Sequence, residues 1–432
     1  MKKIVLYIVI ILSCSEMSFS QNTYSLEQCK KLAIDNNNKM KNSNLDVEIA
    51  KQTEKEAFTK LFPSVSALGM MFQSNEGMAQ KEIQIPPILS FSFDPIDIEL
   101  FRHGKTANVT AIQPLFVGGQ IVNGNRLAHI GVEVSELKNK LSENDVNQNT
   151  EKYFWQIVSL KEKLNTISVI ENQLNEIYKN VKVAVQAGIA TNNDLLKVEL
   201  KQQSVESSRL KVENGIKVSK LLMKQHIGIE DSAFDISFNG FPEIATPINY
   251  YINPENAVVN RTESFMLDKS IEAAKLQKDI AIGKNLPMVA MGASYIYHDF
   301  LDNNTDFGVI FATVSIPISS WWGGSHAIKR ENLKQQQAEN NSYNAKEMMS
   351  VEIQAKWNEL EEAYKQVLLS EKSISSANEN LRVSKDYYNA GITSLSDLLE
   401  AQTILQNSYD QRTEAKTNYQ TKLCAYLQST GR

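Results

Sequence analysis

The sequence predicts an α+β membrane protein built by internal duplication, with strands in the membrane and very long helices outside it. Three observations predict this. One series of motifs occurs twice within the 432 residues. Two stretches of almost 70 residues carry no proline. Beyond the N-terminal segment, no apolar run reaches the roughly 18 residues that a membrane-crossing helix needs, so entry into a bilayer falls to β-strands.

Hydrophobic residues make up 42% of the chain and charged residues 22%, the balance of an ordered protein. Only 18 glycines and 10 prolines interrupt it, which favours long elements with Gly and Pro as punctuation. The formal net charge of −5 argues against nucleic acid as a partner.

Residues 1–20 read as a signal peptide. Lys2 and Lys3 precede a short apolar run, Ile4 to Leu12, and Ser18 and Ser20 place small residues before a cut at Gln21. Ser13-Cys14 offers a second reading, in which Cys14 is acylated. Cys29 and Cys424 then remain. An exported chain can pair two such cysteines, and the sequence leaves paired and unpaired states open.

The duplication divides the mature chain into residues 21–235 and 236–432. Ala33, Glu48, Ala50, Lys51 and Pro63 recur 224 positions later as Ala257, Glu272, Ala274, Lys275 and Pro287. Pro114, Ala187-Gly188-Ile189 and Asp194-Leu195-Leu196 recur 203 positions later as Pro317, Ala390-Gly391-Ile392 and Asp397-Leu398-Leu399. The difference of 21 residues is extra length in the first copy, within Asn75 to Lys105. Each copy is expected to hold a helix of about 30 residues stopped at Pro63 or Pro287, two strands, a Gly-Gly corner, a very long helix, a glycine turn and a returning helix. The linker from Glu230 to Asn256, rich in proline and phenylalanine, opens the second copy and reads as extended pieces on the outside of the body.

Strands are expected at Ser64–Ser74, Thr106–Gln113, Met288–His298 and Asp306–Ile316. In the third, Val289, Met291, Ala293, Tyr295 and Tyr297 alternate with Ala290, Gly292, Ser294 and His298. About ten alternating residues suit a tilted membrane strand. Four strands are too few to close a barrel, and open edges in hydrocarbon cost several kcal/mol per unpaired backbone group, so several chains must share one barrel. Two chains give eight strands and three give twelve.

In the long helices Trp357, Leu360, Tyr364, Val367, Ile374, Leu381 and Tyr388 fall on one heptad seam. Ile157, Leu160, Leu164, Ile167, Leu174, Ile177 and Val181 keep a similar spacing in the first copy. Such seams predict coiled-coil contacts, and the polar remaining faces suit either a tube wet on both sides or a solid bundle.

The duplicated series resembles the TolC-like outer-membrane efflux proteins. The residues that carry the resemblance are Tyr24 to Ala33, Leu61 to Ser64, Gln113 to Gly119, Ala187 to Thr191, Ile316 to Ile318 with Gly323-Gly324, Ala390 to Thr393 and Asp397 to Gln402. The resemblance implies a homotrimer with a twelve-stranded β-barrel, four strands per chain, in outer-membrane lipid. It implies a coiled-coil α-helical barrel in the periplasm, a periplasmic adaptor protein and an inner-membrane pump. On this sequence the adaptor-docking tips fall at Gly188, Ile189, Ala190 and Thr191, and at Gly391, Ile392, Thr393 and Ser394. Asp397 and Glu400 fall where the family narrows its duct; three chains would crowd six carboxylates, raise their pKa values and attract cations. The first copy has Asp194 but Lys197, so the ring is not repeated. A basic residue common at the second tip is Thr393 here, which leaves no charge for a latch at that point.

The five histidines form no metal-ligand pair, and no phosphate-binding glycine loop or nucleophile elbow occurs. Neither a catalytic constellation nor a metal or cofactor site is expected. A periplasmic coiled-coil adaptor and a structural envelope protein are the alternatives. The order of strands and helices, written twice, argues against both.

Overall fold

Proline, glycine and a few capping side chains divide the chain into its elements. A computed structural model describes residues 23–76, 79–83, 96–100, 103–230, 234–300 and 303–432. The expected signal peptide with Cys14, and the whole stretch from Pro86 to Phe93, lie outside the described residues.

The first copy begins with β1 (Thr23–Tyr24), α1 (Leu26–Asn36) and α2 (Asn38–Thr59). Ser25 caps α1 reciprocally with Gln28. The single helix expected here is broken at Asn37, which takes an extended backbone (ψ 132°). Its Oδ1 accepts from Lys39 N (2.8 Å) and its Nδ2 donates to His226 O (2.8 Å), so the side chain satisfies the groups the break exposes. Next come β2 (Ser64–Gln73), β3 (Ala79–Ile83), β4 (Ile96–Leu100) and β5 (His103–Val117). The 21 extra residues hold the β3–β4 ribbon, paired antiparallel from Ala79↔Leu100 to Ile83↔Ile96. Two long helices follow: α3 (Gln120–Gln186) of 67 residues and α4 (Asn192–Ile227) of 36.

The linker is extended as expected, with β6 (Asp235–Ile236) parallel to β1 and a 3-10 turn at Pro247–Tyr250. Its apolar side chains turn inward: Phe234 and Ile236 are buried. The second copy then runs α5 (Pro254–Val258), α6 (Thr262–Gly283), β7 (Met288–Phe300), β8 (Asn303–Ser315), α7 (Ser320–Asn389) and α8 (Leu395–Ser429).

The two copies turn from strand to helix differently. Gly118 and Gly119 form the expected corner at φ 63° and 74°. Gly323 and Gly324 do not form one; they lie inside the first turns of α7. The bend is made earlier, where Ser320 N donates to Pro317 O (3.1 Å). Gly324 instead makes room for Asn285, whose Oδ1 would lie 1.7 Å from a Cβ there.

Two compact units result. One comprises residues 1–46, 136–265 and 343–432; the other, residues 47–135 and 266–342. The first holds three hydrophobic cores. Cys29, Met40, Val146, Phe154, Ile157, Met223 and Ile236 belong to one. A second lies near the glycine turns, and a third joins Val258, Ile353, Trp357, Leu360, Val367, Tyr419 and Tyr426. The heptad seams supply the long-helix share: Ile157, Ile167, Leu174, Val181, Trp357, Leu360, Val367 and Ile374 are all buried. Cys29 and Cys424 are unpaired, and burial pushes both thiols up to about 12, with Glu151 adding to the shift at Cys424.

The second unit contains the sheet, antiparallel in the order β2-β5-β7-β8. Val65, Ala111, Ala293 and Ile310 form one row across it, and Ser66, Thr110, Ser294 and Val309 form the next, on the opposite face. The first face is apolar and bare: Val65 is 68% exposed, Met71 75% and Ile310 83%. The other is rich in hydroxyls, with Thr110 Oγ1 and Ser294 Oγ 2.8 Å apart. Pro114 sits where the β5–β7 register slips, the bulge a proline requires inside a ladder. Among the described residues the outer edges of β2 and β8 have no partner strand.

His226 supplies a test of the first unit. Its Nε2–H donates to Val146 O (3.1 Å) and its Nδ1 accepts from Asn37 Nδ2 (3.3 Å), an arrangement open only to neutral imidazole. Burial lowers its pKa from 6.5, opposed in part by the bond to Val146. The unfolded chain therefore binds the extra proton first, and stability falls as pH drops below 6.5. Thermal melts at neutral and mildly acid pH should show a drop in melting temperature that shrinks in His226→Gln.

Candidate functional site

Two glycines reverse the long helices in the same way. At the first tip Gly188 takes φ 74°; Ile189 N donates to Ala184 O (2.8 Å) and Gly188 N to Val185 O (3.0 Å). At the second, Gly391 takes φ 72°; Ile392 N donates to Tyr387 O (2.9 Å) and Gly391 N to Tyr388 O (3.0 Å). This pair of bonds is the Schellman motif, which needs a left-handed residue at its end and so selects glycine. The turn leaves one isoleucine outside at each tip, Ile189 at 84% exposure and Ile392 at 71%. Ala190 follows Ile189 in the first turn, as Thr393 follows Ile392 in the second.

Each returning helix then starts with a reciprocal cap. Thr191 Oγ1 accepts from Asp194 N (3.2 Å) while Asp194 Oδ2 accepts from Thr191 N (3.2 Å). Ser394 and Asp397 repeat this at 3.3 and 3.0 Å. Asp397 Oδ2 also accepts from Thr393 Oγ1 (2.6 Å) and Ser394 Oγ (2.8 Å). The hydroxyl of Thr393, then that of Ser394, holds the Asp397 carboxyl below its usual range within one chain. Asp194 is lowered in the same way, chiefly by Thr191. The sequence offered Thr393 only as a missing charge; its hydroxyl is instead a partner of Asp397. Glu400 is exposed one turn further along α8, three residues from Asp397.

Beneath the tips, Leu174, Val181, Val198, Val205, Leu395 and Leu398 join α3, α4 and α8 in one core. Three polar bonds cross between the two copies here. Lys197 Nζ donates to Ser396 Oγ (3.1 Å), Lys201 Nζ to Thr403 Oγ1 (2.8 Å) and Gln402 Nε2 to Gln173 Oε1 (3.0 Å). Burial lowers the pKa of Lys201, whose ammonium meets a hydroxyl and no carboxylate. Sequence reasoning missed these links, because nothing in the local pattern pairs residues some 200 positions apart. No group of His, Cys, Asp and Glu among the described residues could hold a metal ion. None of the described helices is long and apolar enough to cross a membrane.

Residues 30–228 match the family model described as outer membrane efflux protein. Over those residues the chain is similar to that family. Solved structures of outer-membrane channels share the chain's fold. The Campylobacter jejuni channel CmeC is 16% identical with a TM-score of 0.76, over 96% of this chain and 90% of that one. Vibrio cholerae VceC is 14% identical with a TM-score of 0.74, over 94% and 96%. The Neisseria gonorrhoeae channel MtrE is 14% identical with a TM-score of 0.72, over 94% and 88%. No curated protein matches the chain.

Thr191→Ala and Ser394→Ala should each cost about 1 kcal/mol of stability in thermal or urea unfolding. Gly188→Ala or Gly391→Ala should cost about 1–2 kcal/mol, because a Cβ is strained in the left-handed conformation.

Proposed function

We propose that the chain is one of three identical subunits of a passive export duct. In this reading twelve strands close a barrel in the outer membrane, and the paired long helices form its periplasmic part. The duct joins a periplasmic adaptor and an inner-membrane pump in a tripartite efflux or secretion system. The observation that carries the reading is the four-stranded sheet with one bare apolar face and two unpartnered edges. A sheet of that kind is stable in lipid only when sister chains pair β8 of one with β2 of the next. The family match supports three chains over two. The repeated order of helix, two strands, long helix and returning helix supports an internal duplication divided near residue 235.

The tips are proposed as the adaptor-docking points. Exposed Ile189 and Ile392, each on a rigid Schellman turn, offer apolar knobs held by backbone bonds. Asp397 and Glu400 of α8 are proposed as the constriction. Two effects then meet at Asp397. Its cap bonds lower the pKa, while carboxylates of sister chains would raise it. The cap keeps the ring charged, and charge at the narrowest point favours cations.

Planar-bilayer conductance tests the reading. The purified protein should form a small, cation-preferring conductance that a trivalent cation blocks. Asp397→Ala/Glu400→Ala should abolish most of that block and leave the protein folded. An unchanged block would remove these two residues from the constriction. Absence of any conductance from protein that has inserted would remove the duct.

A further inference from the structure

The base of the β7–β8 hairpin carries a local excess of cations. Between residues 275 and 334 the flanking helix ends, at the close of α6 and the start of α7, contain Lys275, Lys278, Lys284, Lys329, Arg330 and Lys334. Only Asp279 and Glu331 oppose them there, in a chain whose net charge is −5. Between the two helix ends lies a cleft of about 530 Å³, lined by Lys284, Arg330 and Lys334 together with the polar side chains of Gln277, Asn285 and Ser320.

Glu331 organises this cleft. It is 7% exposed and accepts from Arg330 Nε (2.9 Å) and Lys334 Nζ (3.1 Å). The two cations stay accessible, with side chains 66% and 53% exposed. One carboxylate against three cations leaves the cleft positive. Toward the strands the surface becomes apolar. Leu286, Ile316, Ile318 and Trp321 are all exposed, and Trp321 Nε1 donates to Asn285 O (2.9 Å), fixing the indole at the corner. Cations beside an aromatic and aliphatic rim match the order of chemistry across a bilayer's headgroup zone.

The first copy provides an internal contrast. Its cavity at the same place, about 420 Å³, is lined by Ala57, Lys60, Val117, Gln120, Ile121 and Gly124 among others, with Lys60 its one cation. A second cavity beside it, about 620 Å³, holds Lys55, Arg126 and His129 but sets Glu54 and Glu272 against them, so the excess of cations belongs to the α6–α7 cleft.

We propose that the α6–α7 cleft binds the phosphate of an anionic phospholipid in the leaflet that meets the helix end of the strands. Arg330 would donate to the phosphodiester oxygens, with Lys284 and Lys334 as flanking charges, while the acyl chains run along the apolar sheet face. This rests on the reading of the sheet as lipid-embedded. It would fix the depth at which the barrel sits and make the protein's stability depend on lipid charge.

Native mass spectrometry of the full protein, released from micelles holding equal phosphatidylglycerol and phosphatidylethanolamine, reads the preference directly. Phosphatidylglycerol should be retained over phosphatidylethanolamine by about tenfold. The preference should collapse in Lys284→Gln/Lys334→Gln, which leaves the Arg330–Glu331 pair intact, and persist in Lys60→Gln. Equal retention of the two lipids, or a preference untouched by the double substitution, overturns the proposal. So does displacement of the lipid by excess glycerol phosphate, which would make the cleft a site for a soluble phosphate ester. Protein that needs no detergent would sink the membrane reading itself; detergent-dependent protein without lipid preference sinks the cleft alone.

Discussion

The unpaired edges of β2 and β8 constrain everything else in this chain. Ten residues of β2 and thirteen of β8 present backbone donors and acceptors along an edge with no partner strand among the described residues. In water such edges invite aggregation, and in hydrocarbon each unpaired group costs several kcal/mol. The apolar face beside them, with Val65, Met71 and Ile310 bare, points to lipid as the surroundings. In the proposed reading a sheet with these two properties is a fraction of a closed structure, and association is a condition of folding.

The helices answer the same problem with side chains. Their intrahelical bonds satisfy the backbone, so association rests on narrow apolar seams. The buried seam residues of α3 and α7 account for the cores of the first unit. Near the tips that core is lined by amides, hydroxyls and lysines, such as Lys201 against Thr403 and Gln402 against Gln173. Single hydrogen bonds of this kind are worth about 1 kcal/mol, and they add to the apolar core of the same region.

Much of this was legible in the sequence because punctuation is local. Pro63 and Pro287 stop helices, Gly188 and Gly391 reverse them, and the alternation of Met288 to His298 marks a strand through its period alone. What was not legible depends on partners far along the chain. Asn37 breaks a helix because the His226 region, 189 residues away, can receive its side chain. Gly323 and Gly324 look like the corner at Gly118 and Gly119, yet they are helical, and at Gly324 Asn285 fills the space a Cβ would need. The cap at Asp397 was readable as an acidic residue in a first helical turn; the added bond from Thr393 was not.

Disulfide trapping across the proposed chain–chain seam tests the central claim most directly. A cysteine at Ala67 of β2 can be combined with cysteines walked along Gly308, Ile310, Ala312 and Val314 of β8. Oxidised membranes should give a covalent ladder that ends at three chains, strongest at one position of the walk and absent for either single cysteine. A ladder that ends at two chains, or no cross-link from protein extracted with detergent, would contradict a barrel closed by three copies of this sheet.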